Sequence, residues 1–305
     1  MQCPLGCVGG DEQLMVGRDR YHGLPGEFPV VRCLGCGLIR TSPRPSPEVM
    51  GRFYPDDYPM YGSVPQRGHR PAPTGLKSLA RRLLADPAEA LPLDPPGSLL
   101  EVGCSSGHFL AEAEGRGWSV EGVEFADSAA RTARQAGFTV RTGPLETVEA
   151  PSRTFDLVVM RMVLEHLHDP IGGLARLREW TRPKGYLVAS FPDAGCYERR
   201  WFGSAWYALE LPRHLWHFTP ETAEKVLERA GWRLRRVIHQ RNLTNVVASF
   251  GHVLEDRGLF PGLAARLSAF PRTQTWETKA LLPLSTTLAA LGQTGRMTVW
   301  AERTG

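Results

Sequence analysis

Residues 99–107 read Leu-Leu-Glu-Val-Gly-Cys-Ser-Ser-Gly, an apolar run that ends on an acid, Glu101, and passes directly into a turn of small residues spaced Glu101-x-Gly103-x-x-x-Gly107. A short apolar run leading into glycines reads as a buried strand followed by a tight turn. Glycine at 103 and 107 lets backbone approach a ligand with no Cβ in the way, and the segment from His108 onward then returns as a helix packed on the sheet. This is the pattern of a nucleotide-cofactor loop, and its spacing discriminates among cofactors. A dinucleotide loop has the form G-x-G-x-x-G and aims a helix N-terminus at a pyrophosphate. Ser105 and His108 stand where that form needs glycine, so a nucleotide cofactor lacking a pyrophosphate fits better.

The sequence on either side supports this reading. Ser119 to Phe125 is a second strand with an acid near its carboxyl end, and Glu124 follows Glu101 by 23 residues, about where a carboxylate accepts hydrogen bonds from ribose hydroxyls in a βαβ unit. From Ser98 strands and helices alternate, which predicts parallel strands joined by crossover helices and a ligand site at their carboxyl edge. We expect strands near 98–103, 119–124, 138–142, 155–160, 185–191, 232–239 and 296–302. Thr219-Pro220-Glu221 supplies a cap, a first-turn proline and an acid at the positive end of the last crossover helix, which Gly231 closes.

In order along the chain, the glycine turn, Glu124, the stretch from Phe155 to Pro170 and the turn Arg182-Pro183-Lys184-Gly185 resemble the class I S-adenosylmethionine-dependent methyltransferases. The resemblance implies an α/β fold: a Rossmann-like, seven-stranded, mostly parallel sheet with helices on both faces. It also implies S-adenosylmethionine as cofactor, held by Glu101, Gly103, Cys104, Ser105, Gly107, Glu124, Phe125 and Arg161. The adenine lies after the third strand in this family, which nominates Leu145.

Cysteines give a second signal. Four of the six fall within the first 36 residues, as Cys3-x3-Cys7 and Cys33-x2-Cys36. Two close pairs can supply four thiolates at the corners of a zinc tetrahedron, each pair forming one knuckle. A disulfide pair or reactive thiols are the competing readings, and disulfides are disfavoured in a reducing compartment. We expect a zinc ribbon over 1–42 and a connector with cofactor-covering helices over 43–95. In the connector Ser46 can cap a short helix begun by Pro47, and Leu76, Leu79, Ala80, Leu83 and Leu84 fall at helical spacing. Ribbon, Phe53-Tyr54-Pro55, then glycine turn is an order similar to that of a bacterial methyltransferase subgroup with an N-terminal zinc ribbon. There the aromatic stretch lies against the methionine end of the cofactor, which nominates Tyr58 and Tyr61.

The catalytic domain is expected over 96–242 and 294–305, interrupted by residues 243–293. The interruption holds three apolar segments broken by Pro261, Pro271 and Pro283, and is read as a helical cap over substrate or a homodimer surface, with contact to a membrane surface or inert padding as the alternatives. Methyl transfer asks the protein mainly to align its partners, with a general base added where the acceptor is a poorly acidic hydroxyl or carbon. His166 follows the fourth strand, where Glu165 could orient it; the pair is similar to the Glu-His pair of quinone O-methyltransferases, a resemblance that implies the two could instead join on a divalent ion. Leu211-Pro212-Arg213-His214-Leu215-Trp216-His217-Phe218 follows the fifth strand, where substrate sits in this architecture. His214 is the first candidate base, with His166 and then His217 behind it. Trp206 and Tyr207 would wall an acceptor pocket, and Arg213 could grip a carboxylate or phosphate.

Pro212-Arg213-His214-Leu215-x-His217-Phe218 resembles a segment of the same zinc-ribbon subgroup, which implies O-methylation of a small molecule, a sugar or secondary metabolite; a zinc-ribbon RNA methyltransferase and a sugar C-methyltransferase are the alternatives. A net charge of +4 leaves room for RNA, but residues 8–32 set Arg18, Arg20 and Arg32 against Asp11, Glu12, Asp19 and Glu27, a poor phosphate-binding face. No stable nucleic-acid partner is expected. No charged-then-apolar leader opens the chain and no run reaches the ~18 apolar residues of a spanning helix, so a cytoplasmic location is expected.

Overall fold

The structure, a computed structural model, describes residues 3–54, 86–91, 93, 96–272 and 280–305. Tyr58, Tyr61 and most of the helix expected over 74–86 lie outside the described residues. The chain opens with three strands, β1 (Asp11–Gly17), β2 (Phe28–Cys33) and β3 (Ile39–Thr41), each antiparallel to the next. A single helical turn, α1 (Pro47–Met50), follows. Ser46 occupies its N-cap position but makes no side-chain cap bond, contrary to expectation.

The main sheet begins with β4 (Ser98–Val102), followed by α2 (His108–Gly115), β5 (Ser119–Glu124), α3 (Asp127–Gln135), β6 (Val140–Thr142), β7 (Phe155–Arg161), α4 (Pro170–Trp180) and β8 (Thr181–Pro192). After α5 (Tyr197–Phe202), β9 (Trp216–His217) and α6 (Pro220–Arg229), the sheet is completed by β10 (Trp232–His239) and β11 (Arg296–Arg303). The order is β10-β11-β8-β7-β4-β5-β6. β4, β5, β6, β7 and β8 pair in parallel, and β11 runs antiparallel between β8 and β10. This is the seven-stranded, mostly parallel sheet expected.

Strand periodicity explains the two layers of helices. Successive side chains point to opposite faces, so Leu99, Leu157, Val159 and Val188 pack with Phe109 and Ala113 of α2. Leu100, Val102, Val158, Met160 and Leu187 face the other way, onto Leu174, Leu177 and Trp180 of α4. Both faces are apolar, as a parallel sheet covered on each side requires. β8 starts earlier than the expected residue 185. Arg182-Pro183-Lys184-Gly185 is a bulge inside the strand, marked by a register shift against β7 and by Lys184 at φ 63°. α6 carries a full capping box, with Thr219 accepting from Thr222 and Thr222 from the Thr219 backbone.

The small N-terminal sheet takes its fourth strand from the chain that follows β8. β9, from the segment before α6, pairs with β3, so the four-stranded sheet runs β1-β2-β3-β9. The 243–293 segment forms α7 (Thr244–Asp256), α8 (Pro261–Ser268) and α9 (Leu282–Ala290). It docks on the loop after α5, where the Tyr207 N–H donates to Ser249 Oγ at 2.8 Å. It also reaches the ribbon, since Asp256 accepts from Arg18 and Arg20. No helix among the described residues is long and apolar enough to cross a membrane.

Candidate cofactor and acceptor site

At the carboxyl edge of β4 the chain turns through Gly103 at φ 74°, Ser105 at φ 48° and Gly107 at φ 89°, left-handed conformations that glycine adopts without strain. A Cβ on Gly103 would collide with Val163 Cγ2, and one on Gly107 would stand 3.0 Å from the Phe138 ring. The N–H groups of Gly103 and Cys104 donate to the Val123 carbonyl at 2.8 and 3.2 Å. Glu124, at the end of β5, ties the turn down: its Oε2 accepts from the Ser105 N–H at 2.7 Å and its Oε1 from the Ala126 N–H at 2.8 Å. Burial raises its carboxyl above the ordinary range while these N–H groups pull it down. Each carboxylate oxygen has a second lone pair, the acceptor a ribose hydroxyl would use.

Below the turn Glu101 is buried. Its Oε1 accepts from Arg161 Nη2 at 3.0 Å, and its Oε2 has no hydrogen-bond partner among the described residues. Burial pushes the carboxyl up to about 7, against the pull of Arg161. The Arg161 guanidinium lies over the Phe109 ring, 3.9 Å from its centre. Ser106 Oγ is also buried without a partner among the described residues. Unpartnered acceptors in a cradle closed to any Cβ fit a cofactor that brings its own donors, as the amino group and ribose of S-adenosylmethionine would. Cys104 and Leu145 are buried at this edge and Phe125 is exposed.

A second group stands after β7. Glu165 is fully buried, with neither carboxylate oxygen hydrogen-bonded among the described residues, and burial pushes it up to about 8. His166 meets the ring of His214 edge-on, centres 4.7 Å apart, and its Nδ1 contacts Tyr54 Oη at 2.8 Å and the Arg213 carbonyl at 3.1 Å. His214 Nδ1 contacts the Ala208 carbonyl at 2.9 Å. Its Nε2 lies 3.5 Å from Glu210 Oε2 and 4.0 Å from Glu165 Oε1. Burial works upward on Glu210, but His214 and Arg213 beside it hold its carboxyl down to about 2. His214 and His166 are thus brought together. His217 is placed elsewhere, in β9, with its Nε2 3.3 Å from Thr41 Oγ1.

Next to this group is a cavity of about 280 Å³ lined by Arg20, Tyr21, Trp206, Tyr207, Glu210 and Arg213 among others. Ribbon, post-α5 loop and inserted helices all contribute walls. Trp206 and Tyr207 line it, Trp206 anchored by its Nε1–H on Glu198 and Tyr207 stacked on His252. Arg213 differs from expectation. Its Nε donates to Glu210, its Nη1 to the Phe53 carbonyl and its Nη2 to Asp19, and it stacks on Tyr21. All three nitrogens are engaged within the protein, so Arg213 is a strut between ribbon and loop rather than a clamp for an anionic ligand. Tyr54, Asp19 and Glu210 escaped the sequence reading, because lone polar residues in irregular segments have no periodicity to betray them.

Cys3, Cys7, Cys33 and Cys36 converge, their sulfurs all within 4.8 Å of one another and Cys3 and Cys36 3.5 Å apart. Sulfurs about 2.3 Å from one zinc ion stand roughly 3.8 Å apart, so the set fits zinc. Lys225 Nζ donates to the Cys36 carbonyl at 3.0 Å, pinning the knuckle to α6.

Strand order, acid-led glycine turn and the acid on the following strand together define a class I, Rossmann-like methyltransferase fold. The chain belongs to the methyltransferase-domain family, whose model matches residues 76–237, more than half of its length. It is 31% identical over 130 residues to malonyl-[acyl-carrier protein] O-methyltransferase of Serratia marcescens, covering 42% of this chain and 50% of that one. It is 31% identical over 146 residues to ubiquinone biosynthesis O-methyltransferase of Cereibacter sphaeroides, covering 44% and 59%. The chain therefore spans about half to three-fifths of the length of these relatives. Among solved structures the [4+2]-cyclase SpnF aligns with a TM-score of 0.50 at 17% identity, over 86% of this chain and 97% of that one, a likeness of fold.

Proposed function

We propose that this chain is an S-adenosylmethionine-dependent O-methyltransferase acting on a small-molecule hydroxyl, of the sugar or secondary-metabolite class, within a natural-product pathway. The observation that carries the reading is the glycine turn tied to Glu124 with an unpartnered Glu101 oxygen, together with a histidine–carboxylate group after β7. The two curated relatives above, O-methyltransferases by name, support the choice of oxygen. S-adenosylmethionine supplies, when bound, a methyl group on a positively charged sulfur. Gly103, Ser105 and Gly107 bring backbone to it, Glu124 takes the ribose hydroxyls, and Glu101 takes the amino group. Leu145, Phe125 and Arg161 complete its surroundings. Glu165, His166 and His214 hold the acceptor oxygen and receive its proton, a contribution of ~10² to 10⁴ in rate for a poorly acidic hydroxyl. The division into ribbon 1–42, connector 43–95, catalytic domain and helical cap 243–293 belongs to the same proposal, with zinc structural in the ribbon.

The test is transfer of radiolabelled methyl from S-adenosylmethionine into an extract of the source organism, separated into small-molecule, protein and RNA fractions. The expected result is label in small molecules, lost in Gly103→Arg. Label in RNA would replace this reading with the ribbon RNA methyltransferase, and no label in any fraction would count against transfer.

A further inference from the structure

We propose that Arg296 anchors the acceptor by a carboxylate, so that the small molecule whose hydroxyl is methylated is a hydroxy acid; this substrate class rests on the methyltransferase reading. Arg296 opens β11 opposite Pro192 at the end of β8, at the carboxyl edge of the parallel strands. Its backbone is fixed on both sides. The Arg296 carbonyl accepts from the Gln240 N–H at 2.9 Å, and the N–H of the preceding Gly295 donates to Glu198 Oε1 at 2.8 Å. A Cβ on Gly295 would collide with the Glu198 carboxylate, so the glycine lets the strand begin directly against that acid. The half-buried guanidinium is not engaged. Its Nε is buried with no hydrogen-bond partner, and it forms neither hydrogen bond nor ion pair with any described residue. Three other arginines at this edge are taken up: Arg161 by Glu101, Arg199 by the Ala194 carbonyl, and Arg213 by Asp19 and Glu210. Two residues before Arg296, Thr294 Oγ1 is also buried without a partner, a hydroxyl donor in the segment that leads into β11.

Charge ties Arg296 to the histidine–carboxylate group. Burial pushes Glu165 up to about 8 and Glu198 up to about 7, with the Arg296 charge among the influences that pull each down. Burial lowers His214, and the same charge adds to that lowering. The guanidinium therefore stands within electrostatic reach of the residues proposed to hold the acceptor oxygen, yet pairs with none of them. Neither acid is fully ionised at neutral pH, and Glu210, which stays ionised, is already held by Arg213. Arginine keeps its proton, so positive charge is left in excess at a partly buried point, and such charge calls for a partner. The fork of a guanidinium matches the two oxygens of a carboxylate. One cation balances a carboxylate, whereas a phosphate monoester carries roughly −1.5 to −2 and would ask for a second. A hydroxyl at Glu165 and His214 and a carboxylate at Arg296 fix a small acceptor at two points, as alignment with a methyl donor requires.

The experiment titrates 4-hydroxybenzoate, a rigid hydroxy acid, into the full chain in the presence of S-adenosylhomocysteine, beside its neutral amide and 4-hydroxyphenyl phosphate. The expected result is that the acid binds ~10-fold or more tighter than the amide, and tighter than the phosphate. Arg296→Met should remove that preference and Arg296→Lys should keep part of it, with S-adenosylmethionine affinity and thermal melting as in the wild type for both. Equal affinity for acid and amide, or no binding of either, in the folded wild type overturns the proposal, as does a preference that survives in Arg296→Met. Tighter binding of the phosphate overturns the choice of carboxylate. Loss of S-adenosylmethionine affinity in Arg296→Met assigns the arginine to the carboxylate of the cofactor and overturns the proposal too. Methyl transfer measured on the same samples separates the two readings: an Arg296-dependent preference for the acid with no transfer into any fraction would strike the proposed function and leave the anion anchor standing.

Discussion

The glycine turn after β4 and the histidine layer after β7 lie on one sheet edge and are built in opposite ways. The turn is nearly consecutive: Glu101 to Gly107 supply the strand end, the left-handed backbone and the helix start, while Val123, Glu124 and Arg161 tie it down from the neighbouring strands. The layer is assembled from Asp19 in the ribbon, Tyr54 in the connector, Glu165 and His166 after β7, and Glu210 to His214 before β9. A ligand site whose requirement is backbone conformation leaves its mark in local sequence. One whose requirement is convergence of side chains depends on every element that carries a member, including a ribbon that is not part of the sheet.

The largest effect expected from this contrast is that of stripping the ribbon. If the four cysteines hold zinc, chelation removes an apparent ~10 to 16 kcal/mol of metal-linked folding free energy. Because β9 pairs with β3 and Asp19 grips Arg213, hydrogen exchange should rise in residues 11–41 and 214–217 while β4 and β5 stay protected. Uniform loss of protection would erase the distinction. Asp19→Ala comes next. It leaves Arg213 buried beside an absent partner, both side chains being fully buried, and should lower stability by ~3 to 5 kcal/mol in urea unfolding with cofactor affinity kept. Thr41→Val is smaller: Thr41 Oγ1–H donates to the His214 carbonyl at 2.8 Å, and its loss should reduce stability by ~1 to 2 kcal/mol.

The turn can be probed through pH. Burial sets Glu101 near 7, and the amino group of the cofactor prefers the ionised carboxylate. Affinity for S-adenosylmethionine should therefore rise with pH up to about 7 and then level off. In Arg161→Met, which removes a charge holding that carboxyl down, the midpoint should move upward; an unmoved profile would detach Glu101 from the cofactor. Smallest of all is Arg18→Ala. Arg18 is 61% exposed in its pair with Asp256, and Arg20 also holds that carboxylate, so thermal melting should shift by no more than the ~0 to 1 kcal/mol of a surface pair.

What could be read ahead of the structure follows the same line. Short apolar runs, glycine punctuation and the alternation of strands with helices located all seven strands of the large sheet, and Thr219-Pro220-Glu221 marked the start of α6 where it is found. The early start of β8 was hidden because Arg182-Pro183-Lys184-Gly185 has the composition of a turn while pairing as a bulge. Pro-Arg-His-Leu-Trp-His-Phe stood out by composition, yet composition could not say that neighbouring histidines part company, His214 toward Glu165 and His217 into β9. Nor could it show that Arg213 is consumed by Asp19 and Glu210. Those outcomes are set by strand pairing between residues far apart in the chain. SpnF, a [4+2]-cyclase of similar fold, shows that the sheet alone does not settle the reaction; the two halves of its edge must.

The central claim is that the turn and Glu124 hold S-adenosylmethionine, and calorimetric titration of the cofactor into wild-type protein and Glu124→Ala tests it most directly. The account predicts one cofactor per chain, weakened by ~10-fold or more in the variant, as expected when hydrogen bonds to a charged group are removed. No binding to the wild type, or equal affinity in the two proteins, would contradict it.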